Sequence, residues 1–103
     1  MAVIEVSVVP IGTATASLSR YVAGCLSILQ NAPGIKYQLT SMGTIIEGEL
    51  AVILPLVLKM HEHPFAAGVD RVVTTIKIDD RRDKPLTIAG KVAAVKEKLA
   101  AKE

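Results

Sequence analysis

RVVTTIKIDDRRD, from Arg71 to Asp83, is the stretch of sequence that decides the fold. Its first part is rich in β-branched Val, Ile and Thr, which suit a pleated and partly buried β-strand. The run from Asp79 to Asp83 is charged throughout and cannot continue into an apolar core. We therefore expect the strand to leave the sheet here. The adjacent carboxylates and guanidiniums are expected to form ion pairs with one another at a junction between subunits.

Composition limits the class of protein. The 103 residues are expected to form one domain, 1–103, with an aliphatic core because aromatic residues make up only 3%. The formal net charge is +2 and both signs are intermixed, so a nucleic acid is not an expected partner. The longest apolar run, Leu50–Leu58, is shorter than the roughly 20 residues that cross a bilayer, and no signal peptide is recognised. We expect a cytoplasmic protein without membrane association.

Hydrophobic periodicity predicts the order of the strands and helices. The order is a strand at Val3–Val9, a helix at Leu18–Leu29, strands at Ile35–Thr40 and Thr44–Glu47 joined as a hairpin, a helix at Leu50–His63, a strand at Val69–Ile78, and a helix with an apolar stripe at Ile88, Val92, Val95 and Leu99. With right-handed crossovers this order predicts an α+β, ferredoxin-like βαββαβ sandwich with a four-stranded antiparallel sheet. The additional C-terminal helix is expected to act as an amphipathic cover, and its tail, Ala100–Glu103, to fray. Pro55 should kink its helix unless the helix begins close to it.

One face of this sheet is left uncovered by the two crossover helices. Strand alternation assigns to it short polar groups mixed with valines: Glu5, Ser7, Gln38, Thr40, Thr75 and Lys77, with Thr44 and Glu47 nearby if the register of the hairpin allows, and Val3, Val9 and Val73. In a monomer this would be an ordinary solvated face. A second sheet packed on it by symmetry would instead create a polar pocket with apolar walls, as small-ligand sites usually are.

The cysteine and the two histidines are expected to have structural and not catalytic or metal-binding roles. Cys25 lies amid apolar residues and is expected to be a buried, inert thiol. His61 and His63 lack a third ligand nearby, so a solvated helix end is favoured over a metal site. The sequence contains no motif for a nucleophile or a phosphate loop. No catalytic residue is therefore expected.

Three blocks of the chain resemble the thiamine-binding proteins of the YkoF type. They are EVSVVPIG at Glu5–Gly12, YQLTSMGTIIEG at Tyr37–Gly48, and RVVTTIKIDDRRD at Arg71–Asp83. The resemblance implies a ferredoxin-like fold, homodimers and homotetramers that assemble through their sheets, and binding of thiamine or its hydroxymethylpyrimidine part without catalysis or a further cofactor. One departure is the helix at Leu50–Leu58, which is apolar all round, whereas the family's is charged on its outer side. This difference predicts an extra partner contact or an altered pocket.

The chemistry of this ligand indicates which side chains would contact it. An aminopyrimidine pairs with carboxylates or hydroxyls, and a thiazolium cation favours acidic or aromatic neighbours. The expected ligand-binding residues are Glu5, Ser7, Thr40, Gly43, Thr44, Glu47 and Thr75. The turn at Gly12 and Thr13 is a second candidate, for a ligand phosphate at the start of a helix.

A non-catalytic carrier or sensor is the favoured function. Two alternatives stay open. One is a structural or regulatory protein-interaction domain that uses Leu50–Leu58. The other is a small dimeric enzyme of the ferredoxin-like type, which would depend on Glu5 or Glu47.

Overall fold

The computed structural model describes residues 1–101, and its elements follow the predicted order. They are β1 (Ala2–Ile11), α1 (Ser19–Gln30), β2 (Lys36–Thr40), β3 (Gly43–Gly48), α2 (Leu50–Ala66), β4 (Arg71–Asp80) and α3 (Ile88–Ala101). The expected fraying of the tail concerns in part residues 102–103, which lie outside the described range. Ala100 and Ala101 belong to α3.

The sheet confirms the predicted ferredoxin-like topology. Its strand order is β2-β3-β1-β4, and every neighbouring pair is antiparallel. β1 pairs with β4 over its whole length, from Ala2–Asp80 to Ile11–Arg71, whereas its pairing with β3 ends at Val6–Thr44. Residues Ser7–Ile11 therefore have a strand neighbour on one side only.

The hydrophobic core lies between one face of the sheet and the first two helices. Its buried members are Ile4 and Val6 of β1, Ile46 of β3, Cys25 and Leu29 of α1, and Ile53, Val57 and Met60 of α2. All are aliphatic or sulfur-containing, as the scarcity of aromatic residues predicts. Close packing of such side chains fixes both crossover helices on this face.

The two histidines of α2 are only partly solvated, because each contacts a neighbouring element. Nδ1 of His61 lies 2.7 Å from Oγ1 of Thr74 on β4. His63 packs against Gly24 of α1 so closely that a Cβ added to this glycine would lie 2.1 Å from Nε2. Both imidazoles are half-buried because α2 continues to Ala66 and crosses β4 and α1 in its last turns.

α2 presents apolar side chains on both of its faces. The helix runs from Leu50 through Pro55 without interruption, and Ile53 and Val57 are buried in the core. Leu54 and Leu58 are exposed and line a groove beside Thr74 and Ile76 of β4. Among the helices of residues 1–101, none has both the length and the apolar character of a membrane span.

α3 does not cover its own sheet as predicted. Its apolar stripe of Val92, Val95 and Leu99 is 50–60% exposed, and none of its described residues is buried. Leu86, just before the helix, is buried, so the chain is anchored where α3 starts and then leaves the sheet.

The charged run that follows β4 forms the predicted ion pairs. Nε of Arg81 donates to Asp83 at 2.5 Å, and Nη2 of Arg82 donates to Asp80 at 2.9 Å. These hydrogen bonds hold the pKa of both carboxyl groups below the ordinary value for aspartate.

β4 extends two residues further than predicted, to Asp80, because an edge strand can carry exposed charges.

Candidate functional site

A cavity of about 500 Å³ lies beside the second half of β1, which β3 does not reach. Its floor is Val6–Val9 of β1, its wall is the first half of α1, and its rim is the β2–β3 turn at Leu39–Thr44. The volume falls within the roughly 300–1,000 Å³ that is usual for small-molecule sites. The difference in length between two neighbouring strands thus leaves space for a ligand.

The walls of the cavity are apolar. Val22 and Leu26 of α1 face Leu39 and Met42 of the hairpin, and Met42 at the rim is 84% exposed. None of the lining residues, all of which lie within the described chain, carries a charge. The site is therefore suited to an apolar or aromatic body.

Thr44 places a hydroxyl group in this apolar wall. The residue is only 4% exposed, and no side-chain hydrogen bond within residues 1–101 involves it. Since no fully buried polar side-chain atom of these residues lacks a partner, the hydroxyl must remain accessible from the cavity. It can donate one hydrogen bond to a ligand and accept others from it.

Cys25 contributes a second polar group, which is chemically inert. Its Sγ donates to the carbonyl oxygen of Met60 at 3.4 Å, and burial raises the pKa of the thiol. A buried thiol that is protonated at neutral pH is a poor nucleophile. The expectation of a buried thiol is confirmed.

The free edge of β1 supplies backbone groups to the cavity. In an antiparallel sheet, successive residues direct their N–H and C=O groups alternately to the two neighbouring strands. Beyond Val6, β1 has only β4 as a neighbour. At least one residue of Ser7–Val9 therefore directs both a donor and an acceptor toward the cavity.

Four of the seven sequence-predicted residues line this cavity: Ser7, Thr40, Gly43 and Thr44. The hydroxyl of Thr40 donates to the carbonyl oxygen of Gly43 at 2.8 Å, so it serves the turn. Gly43 lets the hairpin approach β1, since a Cβ there would lie 3.0 Å from the carbonyl oxygen of Val6. Thr40 and Gly43 thus shape the turn at the rim of the cavity, and their contact with a ligand stays a prediction.

Thr44 does not belong to the open face, and this part of the sequence analysis is wrong. Thr44 pairs with Val6, whose side chain lies in the core beneath the helices. Directly paired residues of a sheet point to the same side, so Thr44 shares the helix side with Val6. Glu47, three residues later on the same strand, has the opposite orientation.

Glu5 and Thr75 lie on the open face, as expected, and are exposed. Glu5 pairs with Lys77, and Thr75 pairs with Ser7. The sheet separates these side chains from the cavity. The structure therefore divides the predicted set between two faces and does not assemble one site from it.

The Glu47 side chain is hydrogen-bonded to the start of α3. Although it is on the open face, it is only 7% exposed, and its Oε1 accepts a hydrogen bond from the backbone N–H of Ile88 at 3.2 Å. Oγ1 of Thr87 accepts a second bond from the N–H of Gly90 at 2.9 Å. The two side chains cap α3, and Glu47 lies at the opposite end of β3 from the cavity.

The turn at Gly12 and Thr13 does not lie at the start of a helix. α1 begins at Ser19, so its first amide groups are several residues away, and neither turn residue lines the cavity. The expectation of a phosphate contact at helix amides here is wrong.

The fold and the cavity together define a small α+β domain with a ligand-sized space beside its central strand. The chain belongs to the thiamine-binding protein family, whose family model matches residues 4–96. It is 49% identical to the protein YqgV of Bacillus subtilis over 96% of this chain and 98% of that protein.

Solved structures show the same fold. A hypothetical protein from Methanocaldococcus jannaschii superposes with a TM-score of 0.84 at 38% identity, over 93% of this chain and 96% of that one. A Thermotoga maritima protein superposes with a TM-score of 0.73 at 22% identity, over 91% and 97% of the two chains.

Proposed function

We propose that this protein binds thiamine or its hydroxymethylpyrimidine part as a non-catalytic carrier or sensor, and that the cavity beside β1 is the binding site. The family description supports the ligand class. The T. maritima relative is described as a candidate thiamine biosynthesis or salvage protein, although at its level of identity the likeness supports the fold alone.

The observation that carries the proposal is the combination of volume and polarity in the cavity. A substituted pyrimidine is flat, and apolar walls such as those of Val22 and Leu39 can enclose its faces. Its ring nitrogens and amine need hydrogen-bond partners, and the Thr44 hydroxyl and the β1 backbone edge can provide them. These are the features of a binding site for a small heteroaromatic molecule.

The absence of catalysis is part of the proposal. Cys25 is the only nucleophilic thiol of the chain, and its raised pKa and hydrogen bond to Met60 disfavour the reactive thiolate. General acid–base catalysis requires a titratable group near the reacting atoms. No carboxylate, lysine or histidine is among the residues that line this cavity within the described chain.

Isothermal titration calorimetry with thiamine, its phosphates and hydroxymethylpyrimidine tests the proposal. We expect at least one of these compounds to bind near micromolar concentration, which corresponds to roughly 8 kcal/mol. If none of these compounds binds to the wild-type chain, the carrier function is wrong.

Two threonine variants locate the site. Thr44→Val keeps the shape of the side chain and removes the hydroxyl, so we expect affinity to fall by about 5- to 10-fold, the effect of one hydrogen bond. Thr75→Val makes the same change on the open face and should leave affinity unchanged. The reverse result would place the site on the open face.

A protein-interaction role is the second candidate, and the apolar groove between α2 and β4 favours it. Leu54 and Leu58 line this groove and are 42% and 60% exposed. If Leu54→Glu abolishes capture of a partner protein while the vitamin compounds fail to bind, this role replaces the carrier function.

A further inference from the structure

The cavity is free of charge in a chain that is rich in charge. Charged residues make up 21% of the sequence, yet none is among the residues that line the cavity. Its polar groups are the Thr44 hydroxyl, Ser19, Ser41 and Thr40 near the rim, the backbone amides at the start of α1, the Cys25 thiol and the edge of β1. Each of these is neutral at physiological pH.

Two of the charged side chains nearest along the sequence are directed elsewhere. Nη2 of Arg20, which follows Ser19 at the start of α1, donates to Oη of Tyr21 at 2.8 Å, and its guanidinium lies 4.8 Å from the centre of that ring. Glu5, the closest carboxylate on β1, is exposed on the opposite face of the sheet. Neither supplies a counterion to a ligand in the cavity.

A neutral ring and a charged group would therefore behave differently in this site. Transferring a phosphate or a fixed cation from water into apolar surroundings without a counterion is strongly unfavourable. A neutral heteroaromatic ring loses much less solvation and recovers its hydrogen bonds from Thr44 and from the β1 edge. The chemistry of the lining thus discriminates by charge.

We infer that the cavity selects uncharged, unphosphorylated ring compounds and rejects their phosphate esters. This inference rests on the proposed function and specifies its ligand: the free hydroxymethylpyrimidine alcohol and not its phosphates. The pyrimidine ring of thiamine can enter only if the thiazolium cation stays in water, beyond the exposed rim at Met42. Reactions that add phosphate to the alcohol would remove the ligand from the protein.

Matched pairs of neutral and phosphorylated probes test the selection. The first pair is hydroxymethylpyrimidine and its monophosphate. The second pair, benzyl alcohol and benzyl phosphate, has no relation to the vitamin. Titrations are followed by the methyl NMR signals of Val22, Leu39 and Met42, which line this cavity. We expect each phosphate to bind at least about 100-fold more weakly than its alcohol, which is about 2.7 kcal/mol.

A charge introduced at the rim should relax the selection. Met42 lines the cavity and is exposed, so Met42→Lys adds an ammonium group there with little risk to folding. We expect the alcohol-to-phosphate ratio of affinities to fall at least about 10-fold. Val52→Lys adds the same charge to the exposed outer face of α2 and should leave the ratio unchanged.

The outcomes separate this inference from the proposed function. If phosphates perturb the cavity methyls at concentrations equal to or below those of the alcohols, the selection is wrong while vitamin binding stands. If benzyl alcohol binds in preference to its phosphate and no vitamin compound binds, the selection stands and the proposed function fails. If no probe perturbs these signals, or if Val52→Lys changes the ratio as much as Met42→Lys, the inference is overturned.

Discussion

Gly24 lets the two crossover helices approach closely. A Cβ at this position would lie 2.1 Å from Nε2 and 2.7 Å from Cδ2 of His63, which is too close for any side chain. The imidazole therefore occupies the place that a larger residue would need. Glycine is otherwise unfavourable inside a helix, so the contact explains its presence in α1.

Replacing Gly24 with alanine should destabilise the protein. Overpacking typically costs about 1–3 kcal/mol, whereas alanine in place of a helical glycine contributes about 1 kcal/mol of stability, so we expect a net loss of about 1 kcal/mol. Urea unfolding of Gly24→Ala measures this loss. In a His63→Ala background the same change should become neutral or stabilising. An equal loss in both backgrounds would show that the glycine has another role.

The first turn of α3 is the element that ties this otherwise exposed helix to the sheet. Glu47 and Thr87 accept hydrogen bonds from the N–H groups of Ile88 and Gly90. The Glu47 carboxylate also lies at the positive end of the helix dipole. Leu86, buried just before the helix, and the ion pair of Lys91 with Asp79 of β4 also hold the start of α3.

Thr87→Ala should therefore loosen α3 selectively. Loss of an N-cap side chain costs roughly 1 kcal/mol, and the unsupported helix should open before the rest of the fold does. Hydrogen exchange should accelerate for the amides of residues 90–95 and stay unchanged in β1. Glu49→Gln, a change of an exposed side chain at the start of α2, is the control. Acceleration spread over the whole chain would contradict a local cap.

The order of the strands and helices was predictable because apolar residues recur along each one at the spacing typical of a strand or a helix. Alternation over Val3–Val9 and the stripe over Leu18–Leu29 are local properties of the sequence. The ends of the strands were less predictable, since pairing between distant segments decides them. Pro10 suggested the end of β1, yet the strand continues to Ile11 because a proline is tolerated where a strand has a free edge.

The candidate site was predictable only in part, for the same physical reason. Glu5 and Thr75 were placed on the correct face by alternation alone. The side of Thr44 depends on which residue begins β3, and the cavity depends on how far β1 extends past Val6. The parts played by Cys25 and Met42 had no signal in the strand pattern, because α1 and a turn bring them to the site.

The molecule exposes apolar surface in several places. Val73 is exposed on the open face, Val92 on α3, and Leu54 and Ile76 along the groove between α2 and β4. Surfaces of this kind often mark contacts between proteins. We propose that copies of the chain associate through the open face, in dimers or tetramers.

The mass in solution tests this association. Light scattering should give a multiple of 10.9 kDa for the wild type, and Val73→Glu should reduce it toward a single chain because a buried, unpaired carboxylate disfavours an apolar contact. Leu54→Glu introduces the same charge on α2 and should leave the mass unchanged. A single-chain mass for the wild type, or dissociation by Leu54→Glu alone, would contradict assembly through the open face.

The pairing of β3 with β1 stops at Val6–Thr44, so the length of the β2–β3 hairpin determines how much of the β1 edge stays unpaired. Each added pair of strand residues would lengthen β3 by about 6.6 Å along β1, and one such insertion would cover much of the edge at Ser7–Val9. Insertions or deletions at this one turn can therefore shrink or enlarge the cavity. The core around Ile4 and Ile46 would stay unchanged.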